Sequence, residues 1–167
     1  MIVHIMRHAP IEFGKDLPKV ADRHITPEGR KWARNVVRIA KNELGLNPDW
    51  IISSPLLRAK ETAEIAAEEF NKPSKLVYDD CLLGEREVNE TYERLRKLDK
   101  TDSVLLVSHQ PLLRNLIADL LGAKSKVGLY SGAIACVQCD TYPKQGKGIL
   151  LWLLPPSNNF NGKKWIT

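Results

Sequence analysis

The chain has 167 residues, 43% of them hydrophobic and 27% charged, with a formal net charge of +5 and three cysteines. That size and balance suit a single globular domain over 1–167, and no apolar run of about 18 residues is present to span a membrane. The lysines and arginines are scattered without aromatic interleaving, which excludes a nucleic-acid stripe. An odd, small number of thiols excludes a disulfide framework and predicts a cytoplasmic protein.

Ile2 to Met6 is a short apolar run of the kind buried on both faces of a sheet, and it ends abruptly in Arg7-His8. Pro10 lacks an N–H and stops the ladder, so Arg7 and His8 are delivered at the rim, where open α/β sheets bind ligands. Residues 9–25 show no period and read as a loop, with His24 as a solvent-facing histidine. Thr26, Pro27 and Glu28 then open a helix by capping, first-turn and dipole preferences. Its stripe is Trp32, Ala33, Val36, Val37, Ala40 and Leu44, and Gly45 ends it.

A second apolar run, Trp50 to Ile52, leads into Ser53-Ser54-Pro55. Ser54 before Pro55 predicts another helix cap, with Ala59, Thr62, Ala63, Ala66 and Phe70 as the buried stripe. Helical side chains lean towards the N-terminus, so Arg58 can reach over the carboxyl end of the second strand. Lys75 to Tyr78 predicts a third strand, and Glu87 to Leu98 a charged surface helix. Val104 to Val107 is the strongest strand in the chain. It ends in Ser108-His109-Gln-Pro111, and a helix from Leu112 to Leu121 follows, closed by Gly122. Ala133 to Cys139 and Ile149 to Leu154 predict a closing hairpin or adjacent edge strands. Residues 155–167 form a polar tail that Phe160 and Trp165 could pin to the body.

Strands alternating with amphipathic helices predict a three-layer α/β/α sandwich with a mostly parallel, roughly six-stranded sheet. Parallel strands share one carboxyl rim, so Arg7, His8, Arg58 and His109 converge. Two arginines, two histidines and a helix N-terminus make a site for a tetrahedral dianion. Neighbouring cations oppose protonation of a histidine there, leaving a neutral imidazole able to attack phosphorus through a covalent phosphohistidine. The other cations stabilise the charge on the equatorial oxygens. No Gly-rich triphosphate loop is present.

Met6-Arg7-His8-Ala9, Ser54-Pro55-Leu-Leu-Arg58-Ala-Lys-Glu-Thr62 and Ser108-His109-Gln-Pro111, in this order, resemble the histidine phosphatase (phosphoglycerate mutase-like) superfamily. The short length, the Arg-His-Ala form and Ser131 to Ala135 resemble its SixA-type phosphohistidine phosphatases. The resemblance implies a phosphoglycerate mutase-like fold and a phosphatase that needs no metal or other cofactor. By position, His8 is the nucleophile, Arg7 and Arg58 clamp the phosphate, and His109 hydrogen-bonds the phosphoryl group. The pattern departs at the leaving-group acid: Asp80-Cys81-Leu82 stands where Leu-x-Glu is looked for, with Asp80, Glu85 and Glu87 as substitutes. A missing acid disfavours alkyl esters more than a phosphoramidate, whose nitrogen can be protonated beforehand. The expected partner is therefore a phosphohistidine protein, with small phosphorylated molecules as the alternative. A non-catalytic phosphoprotein-binding module is the reading from another class. A metalloenzyme built on His4, His8 and the Cys136/Cys139 pair is disfavoured, because the two cysteines have opposite strand parity.

Overall fold

One six-stranded sheet carries the molecule, in the spatial order β3-β2-β4-β1-β5-β6. The strands are β1 (Ile2–Arg7), β2 (Trp50–Ser53), β3 (Leu76–Tyr78), β4 (Ser103–Ser108), β5 (Ile134–Gln138) and β6 (Ile149–Leu154). The computed structural model describes residues 1–14, 19–98, 101–125, 127–140 and 142–156. The first four strands are mutually parallel, β5 runs antiparallel to β1, and β6 antiparallel to β5. Register aligns Arg7 with Ser108 and Ser53 with Val107, so the strand ends that precede His8, Ser54 and His109 are level with one another.

The pleat sorts side chains between two helical layers. Val3, Ile5, Ile52, Val104 and Leu106 face α3 (Val88–Arg96) and α4 (Leu112–Leu121). Met6, Ile51, Leu105 and Val107 face α1 (Pro27–Leu44) and α2 (Leu57–Glu69). The four central residues of β4 are all fully buried or nearly so, and each side chain of that size contributes roughly 1.5–3 kcal/mol by leaving water. This double coverage explains why β4 reads as continuous rather than alternating hydrophobicity. The architecture is the expected three-layer α/β/α sandwich.

Helix ends follow local chemistry. Thr26 accepts from the Gly29 N–H and caps α1, while Gly45 takes the left-handed conformation (φ 69°) that ends it. Several boundaries differ from expectation, most of them by a residue. Ser54 does not cap α2: that helix starts at Leu57 behind Leu56, with no side-chain cap, because the Ser54 hydroxyl is engaged elsewhere. The predicted 87–98 helix stops at Arg96, where the Lys97 and Leu98 N–H groups bond back only three residues to Arg94 and Leu95. Cys139 lies beyond β5, whose pairing with β6 is interrupted by a register shift at Cys136/Val137. Phe160 and Trp165 lie outside the described residues. No helix among the described residues is long and apolar enough to cross a membrane.

Candidate active site

At the carboxyl rim three side chains from strand ends, Arg7, His8 and His109, come together with Arg58 from the first turn of α2. His8, the residue after β1, and His109, the residue after β4, are both buried, and their rings lie 5.2 Å apart between centroids, tilted at 45°. Arg7 and Arg58 both act electrostatically on each of these imidazoles. Sequence reasoning expects Arg7, His8, Arg58 and His109 to meet, and the structure brings all four together.

Backbone contacts hold each arginine in place. Arg7 donates from Nη1 to the Leu129 carbonyl at 3.0 Å. Arg58, the second residue of α2, donates from Nη1 to the Val20 carbonyl at 2.9 Å, in a single 3-10 turn at Val20–Asp22. Burial pulls both guanidinium pKa values down, and at Arg58 the neighbouring Arg7 adds to the effect. Both arginines stay charged at neutral pH.

The His8 ring has a defined tautomer. Its Nδ1 lies 2.8 Å from the Ala9 carbonyl, which can only accept, so the proton sits on Nδ1 and Nε2 keeps its lone pair. Burial is the main reason the imidazole is pushed down to about 4. The Ala9 bond opposes that shift, and Arg58 and Arg7 reinforce it. His109 is pushed down to about 3, again by burial first and then by Arg58, His8 and Arg7. The cations invoked from sequence thus contribute, but desolvation leads. Both imidazoles are neutral near pH 7.

Several residues that sequence reasoning gave other roles support this cluster. Thr62, read as part of a buried stripe, donates to the Arg58 carbonyl at 2.7 Å and accepts from the Ala9 N–H at 3.0 Å. It ties the strand end bearing His8 to the helix bearing Arg58. Its traces in the sequence are a hydroxyl four residues after the arginine and its place at the end of the Ser54-to-Thr62 block that carries the family resemblance. Ser54 pairs with His109 Nε2 at 2.7 Å and receives only a long bond, 3.4 Å, from the Leu56 N–H. The Gly132 N–H donates to the carbonyls of both Arg7 and His8 at 3.0 Å, from a backbone with φ 83° that favours glycine.

The candidate acids stand apart. Asp80, Glu85 and Glu87 are exposed, and among the described residues none is hydrogen-bonded to the four clustered side chains. Glu87 forms a capping box with Glu90 at the start of α3. Glu85 and Glu87 line a cavity of about 420 Å³ with Gly84, Pro111 and Asn115, and none of the four clustered residues lines it. Gly84 fills the space nearest His109: a Cβ there would lie 3.1 Å from the Gln110 carbonyl and 3.4 Å from His109 Cβ.

His4, which shares strand parity with His8, is buried four residues back, 5.6 Å from the Trp152 ring, with Ser103 Oγ 3.4 Å from its Nδ1. Burial holds it at about 4, with an opposing bond to Val104. It belongs to the strand interior and not to the rim. Among the described residues no group of three or more His, Cys, Asp or Glu could hold a metal ion.

Comparison with known proteins gives one family and concordant relatives. The family model of the histidine phosphatase superfamily (branch 1) matches residues 3–87. Over 160 residues the chain is 28% identical to phosphohistidine phosphatase SixA of Escherichia coli (strain K12), covering 95% of this chain and 96% of that protein. It is 29% identical over 148 residues to a phosphohistidine phosphatase SixA homolog of Haemophilus influenzae, covering 84% and 89%. A solved structure of the protein histidine phosphatase SixA complexed with tungstate superposes with a TM-score of 0.81 at 28% identity, covering 93% of this chain and 97% of that one.

Proposed function

The chain belongs to the histidine phosphatase superfamily (branch 1) and is an enzyme of that phosphatase class; from this premise we propose that it removes the phosphoryl group from phosphohistidine in proteins, by way of His8. The observation that carries the reading is a pair of unsatisfied atoms. Among the described residues, the buried side-chain nitrogens and oxygens without a hydrogen-bond partner are Arg7 Nε and His109 Nδ1, both in the one cluster. Buried polar groups left open cost about 1–3 kcal/mol each, so their presence together is best explained by a ligand that completes them. A phosphoryl dianion matches the two arginine charges and accepts from all of these donors. Tungstate, bound by the similar SixA protein, is a tetrahedral oxyanion of the same kind.

In this reading His8 Nε2 attacks phosphorus, an N–P bond forms to the enzyme, and the bond to the substrate breaks. The substrate imidazole, protonated on its other ring nitrogen, departs as a neutral ring and needs no enzyme acid. That fits a site in which Asp80, Glu85 and Glu87 make no bond to the cluster. Water then attacks the phosphorylated His8 and cleaves the N–P bond. The electron pair of that bond returns to Nε2, restoring the neutral Nδ1–H ring, inorganic phosphate leaves, and the proton lost by the attacking water passes to solvent. Arg7 and Arg58 stabilise charge on the equatorial oxygens in both steps. The free, buried thiols Cys81, Cys136 and Cys139 suit a reducing cytoplasm.

Turnover of a phosphohistidine peptide and of an aryl phosphate by wild type and His8→Ala tests the proposal. Wild type is expected to favour the peptide and to trap a ³²P label on His8. His8→Ala is expected to lose turnover by a factor of at least about 10³ while keeping the fold. Full activity in His8→Ala would overturn the mechanism. A clear preference for sugar phosphates or phosphoglycerate would overturn the substrate class, and phosphate binding with no turnover would replace the enzyme with a binding module.

A further inference from the structure

The Ser54 hydroxyl is fully buried at the end of β2, and its contact with His109 is the shortest polar contact that His109 makes among the described residues. We infer that Ser54 is a positioning residue: it holds His109 in the Nδ1–H tautomer and so offers the open Nδ1–H, as a neutral donor, to a phosphoryl oxygen. This inference rests on the phosphatase reading above and adds a specific residue to it.

Counting donors and acceptors decides between the two tautomers. A serine hydroxyl has one hydrogen to give and two lone pairs to receive. Ser54 Oγ receives from the Leu56 N–H at 3.4 Å, and its other side-chain contact is with His109 Nε2 at 2.7 Å, whose direction depends on the His109 tautomer. If Ser54 donates, Nε2 is the acceptor, the ring proton lies on Nδ1, and one buried donor is left open. If His109 donates from Nε2 instead, the Ser54 hydrogen has no acceptor among the contacts of the described residues and Nδ1 becomes a bare lone pair. Two buried groups would then be unsatisfied in place of one, each at the full cost of desolvation.

The chemistry of the ligand points the same way. Nδ1 of His109 is buried and has no partner among the described residues. Facing an anion, an N–H attracts and a lone pair repels, so only the Nδ1–H form contributes to binding. Protonating the whole ring would also supply a donor, but burial holds His109 at about 3 and keeps it neutral in the working range. Ser54 thereby does for His109 what the Ala9 carbonyl does for His8. One ring is locked with a free lone pair at Nε2, the other with a free N–H at Nδ1. The nucleophile and the donor are thus made from the same side chain by opposite partners.

Nitrogen-15 spectroscopy of the histidine rings in the ligand-free wild-type protein tests this directly. His109 is expected to show a pyrrole-type Nδ1 and a pyridine-type Nε2. Ser54→Ala is expected to mix the two forms and to lower kcat by about tenfold to a hundredfold with a smaller change in KM, and Ser54→Thr to recover both signals. A pyridine-type Nδ1 in wild type would overturn the inference, as would a Ser54→Ala protein with unaltered ring signals and kcat. The wild-type spectrum decides the question even if Ser54→Ala fails to fold. Because it is recorded without substrate, a failure of phosphohistidine peptides as substrates would leave it standing and count only against the function proposed above.

Discussion

Helix α2 serves two polar clusters, and they differ in how completely they are satisfied. Glu61, three residues after Arg58, accepts from the Ile25 N–H at 2.8 Å and from His24 Nδ1 at 2.9 Å, and also pairs with the Arg30 guanidinium. Burial alone would raise the Glu61 carboxyl, but His24, the Ile25 N–H and Arg30 outweigh it and hold the group low. Every carboxylate oxygen there has a protein partner. The rim cluster around His8 buries His8, Arg58 and His109, whereas His24 and Arg30 are exposed, yet among the described residues it leaves Arg7 Nε and His109 Nδ1 open. The first arrangement fastens the chain between β1 and α1 to α2. The second keeps its capacity for something from outside. A buried charge, Glu61 in one and Arg58 in the other, is common to both, so it is incompleteness that distinguishes the candidate site.

Substitutions at the two clusters should separate along this line. Among variants that leave His8 in place, the largest effect is expected from Arg58→Ala, which removes one of the two arginines proposed to clamp the phosphate and should lower kcat/KM about 10²–10³-fold in steady-state kinetics. An effect under about fivefold would remove the contrast.

Acid titration comes next, because the buried histidines carry a stability linkage. Unfolded histidines protonate near about 6.5, whereas folded His4 and His8 wait until about 4 and His109 until about 3. Between those values the unfolded chain holds more protons. Stability is therefore complete above about 6.5 and declines as pH falls towards 4. Denaturant midpoints across that range should show the decline, and His4→Asn should make it shallower while keeping turnover. Over the same range kcat/KM should stay level until His8 Nε2 is protonated near 4, for as long as the protein remains folded.

A smaller change is expected from Glu61→Gln, which weakens the bonds from His24, Ile25 and Arg30. Chemical unfolding should register a loss of about 1–3 kcal/mol, with kcat/KM within about threefold of wild type. The smallest belongs to Arg34→Ala. Arg34 pairs with Glu68 and Glu69 on the exposed side of α1, and its removal should cost about 0–1 kcal/mol in the same assay.

The rim is legible in sequence because backbone rules place it. Apolar runs identify β1, β2 and β4, parallel connection aligns their ends, and the residues just beyond them must then meet. Arg7, His8 and His109 need nothing more, and Arg58 needs only the lean of a helical side chain. Ser54 is read as a cap because Ser-Pro has that local meaning. Its true partner, His109, lies 55 residues away, beyond any pattern in the neighbouring sequence. His24 is read as solvent-facing for the same reason: its side chain is 60% exposed, yet it is anchored to Glu61 across 37 residues. The α2 start moves by two residues because a tertiary bond takes the hydroxyl that local propensity assigns to the helix. Spacing does not single out an acid: Asp80 and Glu85 lie between β3 and α3, where no hydrophobic period defines the path, and Glu87 caps α3.

The bond from Arg58 Nη1 to the Val20 carbonyl has a thermodynamic corollary. In the function proposed above, Arg58 is shared between an incoming anion and a loop carbonyl, which couples the two equilibria, and coupling of this kind is reciprocal. Whatever factor the anion imposes on the attachment of that loop, the loop imposes on the anion. Alterations to the Val20–Asp22 turn, which supplies that carbonyl, are then expected to register as altered anion affinity.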